Sequence, residues 1–267
     1  LENLGSRDGI LKAKTEIFEH LNRTGTVILN GEDDKLSTVE NVNGKAPVFY
    51  GKSEKNQCGK ENCIYATEIR NLGLDGMKAV FHFPEVEIPI PGEHNVLNAL
   101  AGACVGMELG LDVEQICAGI KKAQTIGGRT NLIHANDMLI IDDCYNANPV
   151  SMRASIDVLT QAKGRMIAVL GDMGELGADE KRLHYEVGAY AASRGLDALF
   201  CCGELSKELA KGAKEHSETM EIFYFATKEE LLLHLKSYLK KGDTILVKAS
   251  HFMEFPDIVR SLQASVQ

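Results

Sequence analysis

The chain has 267 residues, enough to bury a sizeable core, and its 44% hydrophobic and 25% charged residues are those of an ordinary globular protein. With 29 basic against 38 acidic side chains its net charge is −9, which argues against nucleic acid as a partner, since unspecific binding there runs on basic surface. No apolar run reaches the ~18 residues of a membrane span and no secretory leader is visible, so a cytoplasmic protein without membrane contact is expected.

In chain order, Gly9 to Leu21 repeats apolar residues at helical spacing. Thr26–Leu29, Pro47–Tyr50 and Cys63–Ile69 read as short strands. Met77 to Pro91 alternates at period two with its prolines toward the far end, as in an edge hairpin. His94–Leu109 predicts a helix rich in small residues, and Asp112 is placed to cap another that runs to about Gln124. After Gly127-Gly128 the rhythm changes. Strands are predicted at Met138–Ile141, Arg165–Leu170, Ala198–Cys202, Ile222–Phe225 and Thr244–Val247. Helices are predicted at Met152–Lys163, Asp179–Arg194, Ser206–His216, Glu229–Leu239 and Glu254–Leu262. That alternation implies right-handed crossovers and a doubly wound, mostly parallel sheet, so the fold class is α/β with a domain boundary near Gly127.

Several features are set aside. The seven cysteines (Cys58, Cys63, Cys104, Cys117, Cys144, Cys201 and Cys202) are expected to be reduced thiols, some acting as small buried hydrophobes. Cys58 and Cys63 have half the ligands of a zinc site, but no second pair follows at a fitting spacing. Ala46-Pro-Val-Phe-Tyr-Gly51-Lys52-Ser53 fits a relaxed phosphate-loop pattern. Its Pro-Val-Phe-Tyr reads as strand, however, where the mechanism needs a flexible glycine-rich loop, and a solvated turn is the better reading. Gly171, Gly174 and Gly177 follow a strand and precede a helix, but their spacing is not that of a dinucleotide fingerprint. Asp172 and Glu175 would also set negative charge against a pyrophosphate. A ligand loop at the carboxyl end of that strand remains open.

Four segments carry the functional reading. Gly92-Glu-His-Asn95-Val-Leu-Asn98 places two amides three residues apart, on one face of a helix start, where caps or contacts to a base edge are both open. Gly127-Gly128-Arg129 sets an arginine at the inferred junction. Ile141-Asp-Asp143-Cys-Tyr145-Asn146-Ala-Asn148-Pro gathers acids and amides at a strand end. Leu170-Gly-Asp172-Met173-Gly-Glu175-Leu-Gly177 is followed much later by Val247-Lys248-Ala-Ser250-His251. In this order the segments resemble the Mur ligases of peptidoglycan synthesis, and the match runs over nearly the whole chain.

The resemblance implies residues 1–127 as the later part of a central ATPase domain and 128–267 as a Rossmann-like C-terminal domain. The UDP-sugar domain and the phosphate loop are not in the sequence, which opens at Leu1 without a methionine and reads as a piece of a longer chain. It further implies an ATP-dependent amide ligation. ATP phosphorylates the carboxylate of a UDP-N-acetylmuramoyl-tripeptide, and the amine of D-alanyl-D-alanine attacks the acyl phosphate, with Mg2+ neutralising crowded phosphate oxygens. Lys14 matches the family lysine whose carbamate helps hold magnesium; without the resemblance it reads as a solvated helix lysine. Asn95 and Asn98 match the adenine-contacting helix start. Arg129 and Asp143 match junction residues that meet phosphate and ribose. Asn148, with Tyr145 and Asn146, would shape the cleft and touch ligand. Asp172, Met173, Glu175, Lys248 and Ser250 would border the incoming dipeptide, although Asp172 and Glu175 also suit plain helix capping.

Two departures from the family pattern stand out. Ala249-Ser250-His251 replaces the usual Gly-Ser-Arg, and the family histidine that binds magnesium would lie upstream of Leu1. The chain alone, a monomer by this reading, is therefore expected not to catalyse ligation. The alternatives are a non-catalytic nucleotide-binding module, or a related folylpolyglutamate or cyanophycin-type ligase. The Tyr145-Asn-Ala-Asn-Pro segment argues against the last.

Overall fold

A computed structural model of the chain describes residues 6–52, 63–81 and 84–264. The chain divides into two units, Leu1–Gln124 and Thr125–Gln267.

In the first unit, helix α1 (Arg7–Thr15) starts where the Ser6 hydroxyl accepts the Gly9 amide. It stops short of the expected Leu21 and gives way to a tighter turn over Glu16–His20. The Thr15 hydroxyl donates back to the carbonyls of Leu11 and Lys12, a local bond that competes with regular helix. Strands β1 (Ile28–Asn30), β2 (Val48–Gly51) and β3 (Cys63–Asn71) pair in parallel, and β4 (Met77–Phe81) and β5 (Glu85–Ile88) continue the sheet antiparallel in the order β1-β2-β3-β4-β5. The expected edge hairpin is thus present, with β5 outermost; His82 and Phe83 between its strands lie outside the described residues. Its alternation buries Met77, Ala79, Phe81, Val86 and Ile88 against Val96, Leu100 and Ala103 of α2 (His94–Glu108) and Ile116 and Ile120 of α3 (Val113–Lys121). Asp112 caps α3 reciprocally: its carboxylate accepts the Gln115 amide at 2.8 Å, and the Gln115 side chain accepts the Asp112 amide at 3.0 Å.

The second unit is a six-stranded sheet. Its strands are β6 (Asn131–Ala135), β7 (Met138–Asp142), β8 (Met166–Gly171), β9 (Ala198–Cys202), β10 (Glu221–Phe225) and β11 (Thr244–Lys248). The order is β10-β9-β8-β11-β7-β6, parallel throughout except for the β6–β7 pair. The intervening helices are α4 (Pro149–Leu159), α5 (Glu180–Ala192), α6 (Ser206–His216), α7 (Lys228–Tyr238) and α8 (Pro256–Gln263). Strands β9 and β11 are buried at every position, as parallel strands covered on both faces must be. Helices α5 and α6 pack backbone to backbone. A Cβ on Gly188 would lie 1.9 Å from the Leu209 carbonyl oxygen, and one on Gly212 would lie 2.1 Å from that of Tyr185.

One expectation about the thiols is corrected. Cys63 is disulfide-bonded; it opens β3 half-buried, whereas Cys104, Cys144, Cys201 and Cys202 are sealed in the interior as free thiols, and Cys117 is also free. Burial pushes the Cys104 and Cys202 thiols up to about 11, so neither is a ready nucleophile. Cys58, the other residue of the half zinc site, lies outside the described residues, as does Ser53 of the phosphate-loop-like segment. Among the described residues no helix is long and apolar enough to cross a membrane.

Candidate active-site residues

In the second unit, neighbouring strands β7, β11 and β8 all run the same way, so the loops that follow them emerge at one edge of the sheet. Open α/β sheets take ligands outside that carboxyl edge. The loop after β7 is fixed from within. Lys248, the last residue of β11, is 2% exposed, and its ammonium has three donors to place. It donates to Asp143 Oδ2 at 2.6 Å, to the Asp143 carbonyl at 3.3 Å and to the Asn146 carbonyl at 3.0 Å. Asp143 Oδ2 also accepts from the Ser155 hydroxyl of α4 at 2.5 Å, and Oδ1 from the Thr130 amide at 3.0 Å. Two charges buried together in this way tolerate their desolvation only because every donor and acceptor is matched.

The next residues turn outward. The Asp142 carboxylate accepts the Gly128 amide at 3.1 Å, and the Tyr145 amide donates to the Gly128 carbonyl at 2.9 Å. These bonds stitch Gly128–Thr130 to the end of β7. Arg129 is left exposed, with its guanidinium carbon 4.1 Å from the centroid of the half-exposed Tyr145 ring. His251 meets the same ring edge-on at 6.3 Å. Asn148 caps α4: its Oδ1 accepts the Ser151 amide at 2.9 Å, and Pro149 fills the first helical position.

The loop after β8 is pinned on several sides. Gly171 sits where a Cβ would fall 2.6 Å from the Phe255 ring and 2.7 Å from Ala249, so only glycine lets the strand end pass so close. The Asp172 carboxylate accepts the Leu205 amide (3.2 Å), the Ser206 amide (2.7 Å) and the Ser206 hydroxyl (2.6 Å) at the start of α6, where negative charge meets unpaired helix amides. The Asp172 carbonyl accepts the Ser250 amide, the Met173 amide donates to His184 Nε2 at 2.8 Å, and the Gly174 amide donates to the Ser250 hydroxyl at 2.8 Å. Glu175 follows at φ 61° and is exposed, and the Phe252 ring lies against Gly174 just before it.

The residues singled out from the sequence thus fall into two sets in this unit. Asp143, Asp172, Met173, Lys248 and Ser250 are buried, with their polar groups bonded inside the protein. Arg129, Asn148 and Glu175, with Tyr145, Asn146 and His251, stand at the surface of the same edge, as does Phe252, which the sequence did not single out. The sequence reading missed Ser155, His184 and Ser206, which orient these loops. A signal existed for His184: it shares a stripe at helical spacing with the buried Val187, Gly188 and Ala191.

In the first unit, Asn95 is buried, its Nδ2 donating to the Pro91 carbonyl at 2.8 Å and its Oδ1 accepting from the exposed Asn98 at 2.9 Å. Lys14 is exposed in the last turn of α1. Lys52, in the phosphate-loop-like segment, is committed to acids: its ammonium lies 2.7 Å from Glu93 and 3.7 Å from Glu32. Burial pulls its pKa down, but the hydrogen bonds and charges of Glu93 and Glu32 outweigh that and hold it above the usual lysine value. Among the described residues no three His, Cys, Asp or Glu gather as a metal site.

A mostly parallel sheet with polar loops collected at its carboxyl edge makes the second unit a doubly wound α/β domain, a class that takes ligands at that edge. Residues 1–106 match the Mur ligase middle domain, and residues 128–251 match the Mur ligase glutamate ligase domain. The chain belongs to the Mur ligase family. It is 34% identical to the UDP-N-acetylmuramoyl-tripeptide–D-alanyl-D-alanine ligase of Bacillus subtilis (strain 168), over 98% of this chain and 56% of that one. It is also 34% identical to the Escherichia coli (strain K12) ligase of the same name, over 98% and 57%. A crystal structure of MurF from Acinetobacter baumannii matches with a TM-score of 0.82 at 32% identity, covering 98% of this chain and 57% of that one. The chain therefore spans a little over half the length of the relatives it matches.

Proposed function

We propose that this chain supplies part of the ATPase domain and the C-terminal domain of a ligase that joins D-alanyl-D-alanine to a UDP-N-acetylmuramoyl-tripeptide. The observation that carries the reading is the similarity, over nearly all of the chain, to ligases of that name in two distant bacteria. A free carboxylate resists an amine because its leaving group would be oxide. ATP converts it to an acyl phosphate, the dipeptide amine attacks the carbonyl carbon, and inorganic phosphate leaves. Arg129 offers a planar fork to phosphate oxygens from an exposed position, and Asn98 presents an exposed amide at the start of α2 for a base edge. Asn95 acts behind it by fixing that amide. Asn148 and Glu175 face the ligand at the carboxyl edge of the second sheet. Asp143, Asp172, Met173, Lys248 and Ser250 shape that edge from beneath.

Lys14 is the residue the family likeness assigns to a magnesium-facing carbamate. Among the described residues no three His, Cys, Asp or Glu gather to complete a site for such an ion. Substrates built on ATP and a UDP-sugar place the reaction in the cytoplasm.

The test is phosphate release from ATP, measured with the chain extended to the full length of its relatives. Release that requires both the UDP-linked tripeptide and D-alanyl-D-alanine supports the reading, and release indifferent to the dipeptide overturns it. The 267-residue chain alone is expected to release none, because phosphoryl transfer depends on a phosphate cradle and fixed charges.

A further inference from the structure

Among the described residues of the second unit, one histidine is sealed in the interior, against the loop that follows β8. His184, in the first turns of α5, is 0% exposed. Its two ring nitrogens face unlike partners. The Met173 amide can only donate, so Nε2, 2.8 Å away, must accept. Nδ1 lies 2.7 Å from the Glu180 carbonyl, which can only accept, so Nδ1 must carry the proton. One neutral tautomer satisfies both bonds, and the neighbouring groups therefore select it.

We propose that His184 is a positioning residue: its Nε2 holds the Met173 amide, and through it sets the loop that carries Glu175 to the carboxyl edge of the sheet. The inference rests on the ligase reading only in taking that edge as the place where the dipeptide is met. The loop's other anchors bracket this one. Asp172 is tied to the start of α6 and Gly174 to Ser250, each by its own bonds. Between them Met173 is 0% exposed, and its amide has no water to turn to. Just beyond, Glu175 adopts a left-handed backbone at φ 61°, which a non-glycine residue holds only when its surroundings enforce it. His184 of α5 holds the Met173 amide and Ser250 the Gly174 amide, the two anchors next before Glu175 along the chain. Without His184, the turn that aims Glu175 outward loses one of its two nearest restraints.

Substituting His184→Leu fills the space and removes the acceptor, whereas His184→Gln keeps an acceptor oxygen at the reach of Nε2. Amide hydrogen exchange of the 267-residue chain reads the consequence directly. In His184→Leu the segment 172–176 should exchange about tenfold faster, the factor expected for one lost buried hydrogen bond. Strand β10 (Glu221–Phe225) should be unchanged, and His184→Gln should restore most of the protection. The imidazole nitrogen spectrum of the unsubstituted chain should show a protonated Nδ1 and a bare Nε2. Unchanged exchange at 172–176, acceleration spread evenly over the whole unit, failure of the glutamine to rescue, or a proton on Nε2 would each overturn the proposal. In the full-length enzyme, His184→Leu should raise the KM for D-alanyl-D-alanine several-fold and leave kcat near the parent value; a fall in kcat alone would also overturn it. If the unsubstituted full-length protein fails to ligate, the ligase reading is lost while the exchange and nitrogen measurements still decide the role of His184.

Discussion

Replacing Lys248 with methionine isolates the buried charge pair beneath the β7 loop. The substitution keeps most of the side-chain length and removes the ammonium that Asp143 Oδ2, the Asp143 carbonyl and the Asn146 carbonyl share. Both side chains are nearly enclosed, at 3% and 12% exposure, so water does not screen the loss. Removing one partner of such a pair strands the other and costs about 3–5 kcal/mol. For a unit of this size each kcal/mol shifts the midpoint by roughly 3–5 °C, so Lys248→Met should lower the Tm of the second unit by about 9–25 °C. Differential scanning calorimetry of the 267-residue chain measures it, with the transition of the first unit as internal reference. Adding Asp143→Asn removes the stranded charge while keeping an oxygen for the Thr130 amide, and should recover more than half of the loss. A single variant within about 2 °C of the parent, well under 1 kcal/mol on the same scale, would refute a structural pair. So would a double variant no more stable than the single one.

Two further outcomes follow from packing and charge. Gly188→Ala should destabilise the second unit by about 1–3 kcal/mol in urea unfolding, because its Cβ would meet the Leu209 backbone at 1.9 Å; a gain of the ~1 kcal/mol that alanine offers a helix would refute the close crossing. Lys121 and Lys78 hold the half-buried Glu87 carboxylate down at about 2, so its contribution is present above the ordinary carboxylate range and is lost as pH falls toward 2. The Tm difference between the parent and Glu87→Gln should shrink across that window, and a difference independent of pH would refute the pairing.

The elements were largely legible from periodicity, because most strands and helices here bury one regular stripe. Strand β9 begins and ends with its continuous apolar run, and helix α6 with its apolar stripe at helical spacing. Strand β6 was not legible. Asn131–Ala135 is a half-exposed edge strand with no fully buried position, so it shows neither an alternating pattern nor a continuous apolar run. At the site, the sequence located the right segments but not which way their side chains face. Lys248 and Asp143 are 105 residues apart, and no local pattern reveals that the two satisfy each other inside the protein. Asn148 shows the reverse: a helix cap is a local event, and the Asn-Pro pair displays it plainly.

The position of β11 in the sheet has a consequence for how the protein is made. It is the last strand in chain order, yet it pairs with β8 on one side and β7 on the other. A nascent chain emerging from the ribosome can join β8, β9 and β10, and separately β6 and β7, but the two halves have no common strand until Thr244–Lys248 has been synthesised. That same stretch and the residues just after it deliver Lys248 and Ser250, the internal ties of both loops at the carboxyl edge. The second unit therefore cannot acquire the geometry of that edge gradually as translation proceeds, and a polypeptide halted before Thr244 carries two half-sheets with exposed edges, the kind of species most prone to aggregate.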